Sequence, residues 1–153
     1  MTKVITPNLW FDGNAQEAVD YYVSVFPNSK IISTERYPES TEEGLADFQK
    51  DLAGKVLTIE FELAGNPYVA INAGPEFTFN EAISFSVPCK DQEEIDYYWE
   101  KLSAVPDSEQ CGWCKDKFGL SWQIVPENMG ELMQRPGAFA KMMQMHKIII
   151  ADF

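Results

Sequence analysis

The chain has 153 residues, with 24 Asp plus Glu against 12 Lys plus Arg, a formal charge of -12, 45% apolar residues and 13% aromatic residues. A chain of this length buries about two-thirds of the surface it exposes when unfolded, enough for one domain, and the aromatic content excludes intrinsic disorder. The acidic surplus has no basic stripe to offset it, so nucleic acid and anionic membrane surfaces are excluded as expected partners.

In chain order, the N-terminal Met-Thr-Lys-Val has no charged head followed by a long apolar stretch, and no apolar run approaches the roughly 20 residues of a membrane helix. Three cysteines, an odd number, do not make a secreted disulfide framework. A cytoplasmic location is expected. Residues 5–11 read as a first strand. QEAVDYY, starting at Gln16, opens an amphipathic helix in which Ala18, Tyr21, Tyr22 and Val25 recur at three- and four-residue steps. Phe26-Pro27-Asn28 stops it, because the residue before a proline is pushed out of the helical region.

Strand-like runs follow at residues 30–37, 55–63 and 68–73, the last after a Gly65-Asn66-Pro67 turn. Leu57, Ile59, Phe61 and Leu63 alternate with Val56, Thr58, Glu60 and Glu62. Between the first two runs, residues 38–50 are acidic, lack periodicity and read as a surface loop. A strand at residues 83–87 then precedes QEEIDYY, starting at Gln92, which matches QEAVDYY at five of seven positions with a spacing of 76 residues. Its helix carries Ile95, Tyr98, Trp99 and Leu102 on one face. Strands at 111–115 and 120–125 follow, and symmetry places a short strand between Val105 and Glu109. Two helices are expected over residues 128–146, interrupted at Arg135-Pro136-Gly137, and the apolar tail 148–153 must pack on this domain or on a partner.

The expected fold is α+β: two tandem βαβββ units, about 1–76 and 77–127, with a helical extension over 128–153. Three stretches, ITPNLWFDGNAQEAVDYY (5–22), EAISFSV (81–87) and CGWCKDKFGLSWQIVP (111–126), resemble the PhnB-like group, also labelled 3-demethylubiquinone-9 3-methyltransferase-like. This is a branch of the vicinal-oxygen-chelate superfamily of glyoxalases, dioxygenases and bleomycin-resistance proteins, and the resemblance spans nearly the whole chain. It implies curved sheets enclosing a small-molecule cup, a metal in many members, and a homodimer. The glycine-rich loop that cradles a nucleotide-like cofactor does not follow the first strand, so methyl transfer is not the expected activity and no cofactor is expected.

Matching the superfamily's metal positions puts Thr6 and Ala82 at the first strands of the units, Gln123 at the last strand, and Asn72 more loosely at the end of the first unit. One amide and one hydroxyl fall short of three anionic or imidazole ligands, so no metal is expected. His146, near a helix end, complements the helix dipole. Cys111 and Cys114 have C-x-x-C spacing, but residues three apart on a strand face opposite ways, so neither a redox pair nor a zinc site with Cys89 and His146 is expected.

If Ile5, Leu9 and Phe11 pack on the helix, strand alternation turns Thr6, Asn8 and Trp10 toward the cup; Thr58 with Glu60, Ser84 with Ser86, and Ser121 with Gln123 are paired in the same way. Glu60 in a half-apolar cup would have its pKa raised by desolvation, as a catalytic base requires. The candidate ligand-binding residues are Trp10, which would stack on a planar ligand, Asn8, Thr58, Asn72, Ser84 and Gln123. Any catalysis is expected to be lyase, isomerase or ring-opening chemistry on a substrate with adjacent oxygens, Gln123 and Asn72 orienting the oxygens. The alternatives are a sequestering protein like the antibiotic-resistance members, and a structural remnant without a ligand.

Overall fold

The computed structural model describes residues 3–153; Met1 and Thr2, part of the N-terminal stretch read above, lie outside the described residues. The chain divides into two compact units, one ending at Thr78 and the other beginning at Phe79.

The first unit runs β1 (Asn8–Asp12), α1 (Ala15–Val25), β2 (Lys30–Arg36), β3 (Val56–Leu63) and β4 (Asn66–Ala73). Its four strands lie in the order β1-β4-β3-β2, with β1 parallel to β4 and the other pairs antiparallel. The apolar stripe of α1, Ala15, Ala18, Val19, Tyr22 and Val25, is buried together with Leu9, Phe11, Ile59, Phe61, Leu63 and Ala70. Those strand residues alternate, so one sheet face packs on the helix and the other is turned away from it. Ile5, expected on the helix side, is 94% exposed, because β1 begins only at Asn8. The loop after β2 is more structured than its composition suggests: it holds 3-10 turns at Thr41–Glu43 and Asp47–Leu52 and buries Leu45.

The second unit runs β5 (Phe85–Cys89), α2 (Gln92–Leu102), β6 (Trp113–Lys115) and β7 (Ser121–Pro126), followed by α3 (Met129–Leu132) and α4 (Ala138–Met143). Asp91 caps α2 by accepting from the Glu94 backbone N–H at 2.9 Å, satisfying one of the amides a helix start leaves without a partner. The sheet order is β5-β7-β6, which leaves Pro88 on an edge strand, where its missing N–H costs no ladder bond.

The strand inferred from symmetry between Val105 and Glu109 is instead a 3-10 turn, Pro106–Ser108. Proline fixes φ and offers no donor to a ladder, so Pro106 makes a turn of the segment that the first unit builds as a strand. The α+β class holds, while the second unit is βαββ. The apolar tail packs on its own unit: Ile148 is fully buried, and the Gln92 side chain accepts from the Ile150 N–H at 2.8 Å and donates to the Ile148 carbonyl at 3.0 Å.

Candidate functional site

In the first unit, the face opposite α1 is laid out by the strand register. Trp10 pairs with Ile71, which pairs with Thr58; one row along, Asn8 pairs with Val69, which pairs with Glu60, which pairs with Ser33. Residues paired across strands point to the same side, so Asn8, Trp10, Thr58 and Glu60 occupy two adjacent rows of one face. Trp10 is half-buried and fixed: its indole N–H donates to the Gly74 carbonyl at 2.9 Å, and its ring meets Phe77 edge-on, centroids 4.8 Å apart. Asn8 is exposed and donates to the Thr6 carbonyl at 3.0 Å. Glu60 is exposed, not enclosed by apolar neighbours, and accepts from the Ser33 hydroxyl at 3.2 Å. With Thr6, Ile32, Glu62, Tyr68 and Val69 it lines a cleft of about 250 Å³. Tyr68 itself pairs with Phe61 and stacks on it, centroids 5.5 Å apart, so its ring lies on the α1 side, where burial pushes the phenol above its ordinary pKa.

Asn72 stands on the other face. It pairs with Phe11 and is 6% exposed, its Oδ1 accepting from the Ala15 N–H at 3.1 Å while its Nδ2 donates to the Val56 carbonyl at 2.9 Å. Both ends of the amide hold the scaffold. The role expected for it, orienting a ligand's oxygens, is therefore corrected: β4 turns Ala70 and Asn72 inward and Ile71 outward. The bond to Ala15 also satisfies an N–H at the start of α1, where an anion would otherwise be received.

In the second unit, two expected residues are joined directly. Gln123, on β7, donates from Nε2 to the Ser84 hydroxyl at 2.9 Å, and both are half-buried. Ser86 and Trp113 flank Gln123 in the register, so all three share the face opposite α2. Ser121 is buried. Beside this face Lys115 pairs with Glu81, and the ammonium's hydrogen bond holds the Glu81 carboxyl below the usual carboxylate range. Ala82, the position matching Thr6, offers only a methyl group.

His146 lies beyond the end of α4, exposed, its Nδ1 donating to the Glu109 carbonyl at 2.9 Å. Cys89 and Cys114 are buried thiols pushed up to about 12, chiefly by burial and further by neighbouring carboxylates, whereas Cys111 sits in a turn; all three are free. Among the described residues no three His, Cys, Asp or Glu side chains are grouped to hold a metal ion, and no helix is long and apolar enough to cross a membrane.

Ser33, which bonds Glu60 on this face, is a residue that sequence reasoning missed. Register shifts between Ile31 and Ser33 and between Glu35 and Arg36 break the alternation of β2, so period-two counting does not bring Ser33 opposite Glu60.

The family model for 3-demethylubiquinone-9 3-methyltransferase matches residues 3–125. Among solved structures, the PhnB protein from Bacillus cereus is 34% identical, with 80% of this chain and 99% of that one covered and a TM-score of 0.62. Protein PA1353 from Pseudomonas aeruginosa, 18% identical with a TM-score of 0.59, covers 82% of this chain and 98% of its own. A gene product from Arabidopsis thaliana, also 18% identical, covers 81% and 98% with a TM-score of 0.51; these last two likenesses concern the fold alone. No curated protein matches.

Proposed function

Because this chain belongs to the PhnB-like, 3-demethylubiquinone-9 3-methyltransferase-like family, we propose that it binds a small hydroxylated aromatic molecule, neutral or cationic, on the face of its first sheet opposite α1. The observation that carries this reading is the placement of Trp10, Thr58 and Glu60 in adjacent rows of one face. A pinned indole offers a plane for stacking at little entropic cost. Thr58 and Glu60 supply hydrogen-bond acceptors on the same face, and a carboxylate accepts from hydroxyl donors more strongly than a neutral oxygen does. The charge of -12 favours a neutral or cationic ligand over an anion.

Glu60 is also the group that would take a proton if the ligand is turned over. Its exposure and its bond from Ser33 favour holding over turnover, so sequestration is the second reading. A methyl-transfer role draws no support from the start of α1, where Asn72 already takes the Ala15 amide.

Catechol, planar with two adjacent hydroxyls, is the probe. Titrating it while following tryptophan fluorescence should give a saturable change that Trp10→Phe abolishes. No saturable change in the wild-type protein up to millimolar catechol, or an equal change in Trp10→Phe, would overturn the proposal.

A further inference from the structure

The second unit holds a cavity of about 430 Å³ lined by Ser108, Gln110, Cys111, Trp113, Met142 and Met143. Three of these six residues carry sulfur, and none carries a carboxylate or an imidazole. The Cys111 thiol lies 3.6 Å from the Met143 sulfur. The Gln110 carboxamide ties the two together, donating to the Met143 carbonyl at 2.8 Å and to Cys111 Sγ at 3.2 Å.

The backbone under Cys111 is held firmly. Gln110 and Trp113 exchange backbone hydrogen bonds of 3.1 and 2.8 Å around a two-residue turn, in which Cys111 has φ 52° and Gly112 φ 87°. Two consecutive positive φ values are the mark of a type I′ hairpin turn, costly for any residue with a Cβ at the first position. The Cys111 and Gly112 amides donate to the carbonyls of Met145 and His146, both at 2.8 Å. Gly112 has no room for a side chain, since a Cβ there would lie 3.0 Å from the Ile124 carbonyl oxygen and from Ile148 Cγ1. In the first unit, Ala64 and Gly65 have the same pair of angles, φ 49° and 82°, so the turn itself has no need of a sulfur atom.

We propose that Cys111 and Met143, in the cavity that Met142 also lines, form a binding site for a soft monovalent cation of the Cu(I) class. With metal–sulfur bonds of about 2.3 Å, two sulfurs 3.6 Å apart subtend roughly 103° at the ion, close to tetrahedral. Thiolate and thioether donors select Cu(I) over hard cations such as Mg or Ca, which take oxygen ligands. As the ion binds, the thiol releases its proton to water, and one thiolate with one monovalent cation makes a neutral centre that a mostly apolar cavity can accommodate. The Gln110 amide, already directed at Sγ, stabilises the sulfur's developing negative charge.

The test is anaerobic titration of the whole protein with Cu(I) in competition with bicinchoninate, for the wild type, Cys111→Ala and Met143→Leu. Alanine is accommodated at the same turn in the first unit, so Cys111→Ala should fold. The wild type should withdraw one equivalent of Cu(I), and each variant should bind it at least about tenfold more weakly. In the wild type, one equivalent of Cu(I) should also block iodoacetamide alkylation of Cys111, a readout that needs no variant. Failure of the wild type to compete for copper, undiminished affinity in Met143→Leu, or unimpeded alkylation of Cys111 would each overturn the proposal. Catechol binding through Trp10 uses none of these sulfur atoms, so the two proposals succeed or fail separately.

Discussion

Gln92 donates from Nε2 to Asp96 Oδ1 at 3.0 Å, and one repeat earlier Gln16 makes the same bond to Asp20, also at 3.0 Å. The two copies of the repeated motif thus build the same i, i+4 side-chain pair, and in the second copy that pair also engages the tail. Gln92 holds Ile148 and Ile150, and Lys147 pairs with Asp96 at 2.7 Å, so the helix motif serves as a clasp for the tail. Replacing Gln92 by Ala should cost about 1–2 kcal/mol, with faster hydrogen exchange at Ile150, whereas Gln16→Ala should cost less than about 0.5 kcal/mol. Urea unfolding of both variants measures the difference; equal losses would mean that the clasp contributes nothing.

Asn72→Ala should destabilise the first unit by roughly 2–4 kcal/mol, because it leaves the Ala15 N–H and the Val56 carbonyl without their partner. Catechol affinity in the folded variant should be unchanged. A variant as stable as wild type but weaker in binding would return Asn72 to the ligand.

Asp116 is the centre of the run that carries the family resemblance, and it is 4% exposed. Its carboxylate accepts from the Phe118 and Leu120 amides at 2.8 and 3.0 Å and from the Trp122 indole at 2.8 Å. The signature is therefore a turn built around one carboxylate. Asp116→Ala should lose about 3 kcal/mol or more, with a changed near-ultraviolet spectrum from Trp122. Unaltered stability would contradict this.

Stability should fall in alkali. Burial raises the thiols of Cys89 and Cys114 from 9.0 to about 12, and it raises the phenols of Tyr37, Tyr68 and Tyr98 above 10.0. The folded state keeps these groups protonated where the unfolded chain ionises, so their contribution is complete below pH 9 and declines as pH rises toward 12. Urea midpoints measured between about pH 8 and about pH 11 should decrease, and less steeply in Cys114→Ala. A flat profile would be the contrary result.

The sequence made the helices and most strands legible because hydrophobic periodicity records which face is buried, and the repeat of QEAVDYY as QEEIDYY recorded the architecture twice. Three features were illegible for distinct reasons. Pro106 turned a strand inferred from symmetry into a 3-10 turn, the register shifts in β2 hid Ser33 from Glu60, and Asn72 looked like a site residue because a polar side chain on a strand does not announce that backbone groups will claim it. Of the candidate site, alternation separated Asn8 and Trp10 on β1 and Thr58 and Glu60 on β3 from the apolar residues that pack on α1, and the pairing through β4 joins them in two adjacent rows. The link between Gln123 and Ser84 needed strand pairing that alternation cannot supply.

Amide-resolved nuclear magnetic resonance with catechol tests most directly whether the face of the first sheet opposite α1 receives a hydroxylated aromatic ligand. Shifts concentrated at the Trp10 indole N–H and at the backbone amides of Thr58 and Glu60, saturating together, are the predicted result. Shifts that leave these three positions unmoved while others saturate would contradict it.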